Sequence, residues 1–229
     1  MVAAERRIMA AGELGRPSAP VDEAQPPVLL VHGYGGSADS MRAIEQSLQR
    51  DGFRTRAITL PEHGFGDPMR DAGVVADAVR ELLATTGAAT IDLVGHSRGG
   101  VICRAWQQLL DEQRVTRRVV TVATINSDGL LHGVDRLVAA MPGVGIRQLD
   151  DLAVLIEQLR ATRAGHDVFA IGTLGFDGSV HAGTSRIEQA PFMAVDRGRR
   201  LGPLTTIGHY RILRDDLAYE TVRSALLTR

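Results

Sequence analysis

Apolar residues along the chain follow two rhythms. Short continuous runs alternate with stretches in which apolar residues recur every three or four positions. The first run, Val28-Leu29-Leu30-Val31, has the length and the following glycines of a central parallel strand. Met41, Ile44 and Leu48 then mark one helix face, with Ser37 or Ser40 as cap and Gly52 as stop. A strand is predicted over 54–60 and a loop over 61–68. A second amphipathic helix carries Val74, Val75, Ala78, Val79, Leu82 and Leu83 and ends at Gly87. A strand over 90–94, a helix from Gly100 to about Glu112 and a strand over 118–123 continue the alternation.

The alternation stops in 129–165, where two helical patterns are broken at Pro142-Gly143. The second carries Leu149, Leu152, Ile156 and Leu159, either as core or as the roof of a pocket. Strand character returns over 167–171, followed by a glycine-rich loop through Gly183 and a helical or irregular segment. A short last strand is predicted over 205–207. A C-terminal helix starts at Asp215, with Leu217, Val222 and Leu226 inward. Strands alternating with helices imply an α/β fold, a mostly parallel sheet with helices on both faces. Residues 1–27 read as an N-terminal extension and 28–229 as one domain, with 129–165 as a cap-like insertion over the strand ends, where open α/β sheets bind ligands.

Composition narrows the chemistry. The 229 residues suit one domain, and 44% hydrophobic content suffices for a core. A formal charge of −1 gives no global pull toward nucleic acid or anionic membranes. Lysine is absent from the sequence, which excludes a P-loop lysine, a Schiff base and a Ser-Lys dyad. The single cysteine, Cys103, reads as a small core residue. No run is long enough for a transmembrane helix or a signal peptide, so the expected location is cytoplasmic, or secreted where a leader has been removed.

The candidate chemistry sits at Gly95-His96-Ser97-Arg98-Gly99-Gly100, between a buried strand and an apolar helix. A G-x-S-x-G string in that setting is a nucleophile elbow, a sharp turn that lifts the serine oxygen clear of the sheet. A serine nucleophile needs a base, and of the seven histidines His209, just before the last helix, is best placed. The base needs a carboxylate to set its tautomer. Asp177, past the preceding strand, is preferred over Asp128 and Asp196. His32, His63 and His96 read as turn-shaping or structural residues. His132, His166 and His181 have no partner at metal-ligand spacing, so no metal is expected. Arg197, Arg199 and Arg200 read as a solvated basic run.

With these residues in place, the chain resembles the α/β-hydrolases, and more narrowly the small bacterial lipase/esterase group. Three stretches carry the resemblance: Leu30-Val31-His32-Gly33-Tyr34-Gly35-Gly36, Leu93-Val94-Gly95-His96-Ser97-Arg98-Gly99-Gly100, and Gly208-His209 before the final helix. It covers most of the chain from Pro27 onward. The resemblance implies the α/β-hydrolase fold, a triad on Ser97, Asp177 and His209, and an oxyanion hole formed by the backbone amides of Tyr34 and Arg98. It implies no cofactor, and a small-molecule ester or acyl substrate.

Two departures stand out. Arg98 occupies a position that is more often apolar; its side chain either contacts a substrate carboxylate or phosphate or, the preferred reading, forms a local salt bridge. Residues 123–129 lack the Gly-Thr-Pro-His pattern common in such lipases, which weakens any claim to long-chain lipids. The leading expectation is a serine esterase working through an acyl-enzyme. The alternatives are a thioesterase or acyltransferase acting on carrier-bound acyl groups, and a non-catalytic ligand-binding member of the fold.

Overall fold

The computed structural model describes residues 25–126, 146–161, 167–173, 187, 190–195 and 206–228. Within them lie strands β1 (Val28–Val31), β2 (Thr55–Ile58), β3 (Ile91–His96), β4 (Thr116–Val122), β5 (Val168–Thr173) and β6 (Phe192–Val195). The helices are α1 (Ala38–Arg50), α2 (Pro68–Thr86), α3 (Arg98–Ala105), α4 (Ile146–Ala161), α5 (Thr206–Arg211) and α6 (Asp216–Leu227). The strands form one sheet in the order β2-β1-β3-β4-β5-β6. Every pairing is parallel.

Strand periodicity divides the core in two. Leu29, Val31, Ile91, Leu93, Val119, Val168 and Ala170 face a cluster completed by α2, α3 and α4. Their neighbours Val28, Leu30, Val94, Val120, Val122, Phe169 and Ile171 face α1 and α6. Continuous apolar runs follow directly, because a strand covered on both faces needs apolar residues at every position. Leu29, Leu30, Leu93 and Ile102 are fully buried, each contributing about 1.5–3 kcal/mol by its removal from water.

Local signals set the helix ends. Ser37 is the N-cap of α1, and its N–H donates to Ser40 Oγ at 3.1 Å. The Asp67 carboxylate accepts the Arg70 N–H at 2.7 Å, and Pro68 opens α2, which therefore starts inside the expected loop. Gly87 closes α2 at φ 66°. Asp215 caps α6 by accepting the Ala218 N–H at 3.0 Å.

Three expectations change. The helix after the elbow is α-helical only to Ala105; Trp106–Leu110 continues as one turn of π-helix. Of the stretch read as the last strand, Thr206 and Ile207 instead open helix α5, so His209 sits on a helix rather than on a loop. Among the described residues the last strand is Phe192–Val195, in the segment read as helical or irregular. Thr206 and Ile207 carry β-branched side chains, but strand propensity is a weak local preference that tertiary context overrides.

The block 129–165 is described only over 146–161. There it forms α4, whose Leu152, Leu155, Ile156 and Leu159 are buried in the same cluster as α2 and α3. This half of the expected cap is a layer helix between β4 and β5. Asp128, Asp177, Asp196, the basic run at 197–200, and His132, His166 and His181 lie outside the described residues.

The tightest backbone approach lies where α3 meets β1. A Cβ on Gly99 would overlap the carbonyl oxygens of Val31 and His32, so neither strand nor helix has room to give. Gly73, inside α2, has nothing within 4 Å of the corresponding point. Gly99→Ala is expected to cost at least about 2 kcal/mol through overpacking. Gly73→Ala should instead stabilise by about 0.5–1 kcal/mol through helix propensity. Urea unfolding of the two variants checks the contrast.

Candidate active site

The site is built at the C-terminal ends of β1 and β3. Ser97 lies between β3 and α3 at φ 54°, ψ −128°, outside the regions a non-glycine residue ordinarily occupies. Such a conformation costs on the order of 1–3 kcal/mol and persists only where its surroundings hold it. Here the Ser97 N–H donates to Val122 O at 2.9 Å, and Gly100 N–H donates to Ser97 O at 3.0 Å. Every residue from Ile91 to Gly100 is buried except Ser97. The strained turn therefore presents a single side chain at the surface of an otherwise closed core.

Gly33, in the turn after β1, lies directly against that side chain. A Cβ there would come 2.7 Å from Ser97 Cβ and 3.2 Å from Ser97 Oγ. The turn that carries Tyr34 thus passes beside Ser97 at Gly33. Arg98, as the first residue of α3, has an amide without an intrahelical acceptor.

The turn is pinned from several sides. Leu60 N–H donates to His32 Nε2 at 2.9 Å, so the ring proton sits on Nδ1, which donates to Gly33 O at 2.6 Å. Gly35 N–H donates to His63 O at 2.8 Å, and His63 Nδ1–H donates to Gly36 O at 2.9 Å. His32 and His63 are turn residues, as expected. Tyr210, the residue after His209, donates its hydroxyl to Tyr34 O, joining α5 to the same turn.

His209 is buried, and its ring lies 4.6 Å, centroid to centroid, from that of His96, the residue before Ser97. His96 Nε2–H donates to His209 O at 3.1 Å. The structure thus brings His209 to the elbow across 112 positions of chain, counted from Ser97 to His209. Asp177, its expected carboxylate partner, lies outside the described residues.

The side chain of Arg98 turns inward. Its Nη1 pairs with Asp71 Oδ2 on α2 at 2.6 Å, with the two side chains 1% and 0% exposed. Nη2 donates to Gly66 O at 2.8 Å, and the guanidinium carbon lies 5.1 Å from the Tyr34 ring centroid. Burial pushes the Asp71 carboxyl up from its ordinary value, and Arg98 pulls it the other way. Sequence reasoning passed over Asp71. The available signal was an acid four residues before Val75, on the buried stripe of α2.

A second buried arginine, Arg104 on α3, was also missed. It donates to Asn126 Oδ1 at 2.9 Å and to Leu159 O, in the last turn of α4, at 3.4 Å. Burial lowers its pKa to about 10. Asn126 Nδ2 in turn donates to Thr121 Oγ1 at 3.2 Å. Cys103 is buried and its thiol is pushed well up by burial, as a core residue. Among the described residues no group of His, Cys, Asp or Glu is arranged to hold a metal, and no helix is long and apolar enough to cross a membrane.

His32 and His96 share a consequence for stability. Burial is the largest cause holding both below the ordinary value of 6.5, His96 well below. The unfolded chain takes up protons at these rings near that value while the folded chain resists. Stability is therefore full above the unfolded pKa and falls as pH drops toward the depressed folded value. His96→Gln keeps an N–H for His209 O and removes the titration. Its unfolding free energy should fall less than that of the unaltered protein between about pH 7.5 and about pH 5.5, measured by urea titration.

Known proteins place this geometry in a family. The model for the alpha/beta hydrolase fold matches residues 26–155. A triacylglycerol lipase of Pseudarthrobacter phenanthrenivorans is 34% identical over 85 residues, covering 34% of this chain and 27% of the lipase. A triacylglycerol lipase of Vibrio cholerae is 35% identical over 83 residues, covering 34% of this chain and 26% of that protein. The matches thus span about a quarter of these relatives' length. Among solved structures, a Bacillus licheniformis lipase in mature form superposes with a TM-score of 0.71 at 19% identity, covering 91% of this chain and 94% of the lipase. A Rhodococcus 2-hydroxy-6-oxo-6-phenylhexa-2,4-dienoate hydrolase gives 0.57 at 18% identity over 90% and 92% of the two chains. Sheet order, elbow and family match agree: the chain belongs to the α/β-hydrolase fold family.

Proposed function

We propose that this protein is a serine hydrolase of carboxylic esters, with Ser97 as nucleophile, His209 as general base and Asp177 as the acid that orients it. The observation that carries the reading is Ser97 itself: a lone accessible side chain on a strained strand-to-helix turn, with Gly33 packed against its oxygen. The lipase relatives support the same class of chemistry.

In this mechanism His209 takes the Ser97 hydroxyl proton as Oγ attacks the acyl carbon. The carbonyl oxygen gains negative charge and is met by the amides of Tyr34 and Arg98, whose fixed orientation needs no rearrangement at that moment. The tetrahedral species collapses; the alcohol leaves with the proton held by His209, and the acyl group stays on Ser97. Water, deprotonated by His209, then attacks the acyl-enzyme, and Ser97 leaves with the returning proton.

Labelling with a fluorophosphonate followed by peptide mapping tests the reading. One adduct on Ser97 is expected, none in Ser97→Ala, and a loss of kcat on p-nitrophenyl butyrate on the order of 1,000-fold or more in His209→Ala or Asp177→Asn. Asp128→Asn and Asp196→Asn should leave kcat within roughly threefold if Asp177 is the orienting acid. A folded protein whose Ser97 stays unmodified contradicts the proposal. Full acyl transfer to an added thiol or alcohol in place of hydrolysis would reassign the reaction to an acyltransferase.

A further inference from the structure

We infer that Asp71 is a positioning residue: through the Arg98 guanidinium it holds the Arg98 amide and the Tyr34 turn in register on either side of Ser97. The inference rests on the serine-hydrolase reading and assigns a task to the one elbow side chain that the reading leaves unused.

Four contacts carry it. Arg98 is fastened to α2 by Asp71, to the loop before α2 by Gly66 O, and to the oxyanion-side turn by the face of Tyr34. Tyr34 is sandwiched further, its ring stacked on Phe65 at 5.7 Å. The same guanidinium belongs to the residue whose backbone N–H opens α3 beside Ser97. One side chain therefore ties together the elbow, the turn and the helix behind them. With 1% of its side chain exposed and both terminal nitrogens engaged, Arg98 is not presented to a substrate anion.

Stability alone does not account for the pair. Two charges withdrawn from water recover little beyond what well-packed apolar residues of the same volume would supply. Among the described residues Arg98 Nε and Asp71 Oδ1 are buried with no hydrogen-bond partner, so the pair is incompletely satisfied. A costly, imperfect ion pair retained beside a strained nucleophile fits a positioning role. Oxyanion donors act only if they are held where the charge develops, and removing one donor costs about 100- to 1,000-fold in rate. Loosening both without removing either should cost less.

The test uses the full chain and p-nitrophenyl butyrate, with kcat, KM and thermal melting measured together. Asp71→Asn is expected to lower kcat about ten- to a hundredfold with KM changed less than about threefold. It also leaves a buried charge unpaired and lowers the melting temperature. The double variant Asp71→Leu/Arg98→Met removes both charges at similar volume. It should melt near the unaltered protein yet remain at least about tenfold down in kcat. Asp71→Glu, which keeps the charge, should recover more kcat than Asp71→Asn. A double variant with unaltered kcat, or kcat losses that simply follow melting temperature across the three, overturns the positioning role while leaving the hydrolase reading intact. An unaltered protein that neither turns over the ester nor takes up a fluorophosphonate overturns the hydrolase reading, and the inference with it.

Discussion

The turn at Ser97 is the constraint around which the rest is arranged. A serine at φ 54°, ψ −128° does not rest there by itself; β3 must deliver it, α3 must leave at once, and β1 must pass close enough to hold it. The approach of Gly99 to the Val31 and His32 carbonyls and of Gly33 to Ser97 shows how little space is left. The sheet order follows the same need. With β1 and β4 on either side of β3, the Ser97 N–H is received by Val122 O while the turn after β1 lies beside the serine. Strain at one residue is thus distributed over two strands and a helix, each buried on both faces.

Around this turn the polar groups serve the backbone. His32 is neutral because its Nε2 accepts from Leu60 and its environment is dry; its one proton goes to Gly33 O. Burial holds the His96 pKa well below its ordinary value, and its Nε2–H donates to His209 O. Tyr210 carries the tie onward to Tyr34 O. The helix bearing the proposed base is fastened at one point to the strand that delivers the nucleophile and at another to the turn that faces it. Buried hydrogen bonds of this kind contribute modestly to net stability, but leaving their partners unmade is expensive, so they specify one arrangement.

Much of this was legible in the residues. Val28–Val31 and Ile91–His96 were readable as strands because two-sided burial leaves no polar position in the run except where a partner waits, as Arg117 does for Asp92. The elbow was readable because close backbone approach demands glycine on either side of the serine. The C-terminal third was harder. β6 is a short strand, at the sheet edge among the described residues, whose pairing with β5 is long-range, and nothing local separates Phe192–Val195 from a loop. Thr206 and Ile207 favour a strand by side-chain shape, yet they open α5. Asp71 was hidden differently: its meaning depends on Arg98, 27 positions away, and only the packing of α2 on α3 brings the two together. The His209 ring lies beside that of His96 at the elbow, but a helix rather than the expected loop carries it.

In the proposed mechanism this turn and its neighbour hold two amides ready for a negative oxygen attached at Ser97. A crystal structure of the fluorophosphonate adduct tests it most directly. Phosphorus should be bonded to Ser97 Oγ, with one phosphonyl oxygen about 3 Å from both the Arg98 and the Tyr34 nitrogens. A phosphonyl oxygen turned to solvent, with those two amides bonded elsewhere in the protein, would contradict it.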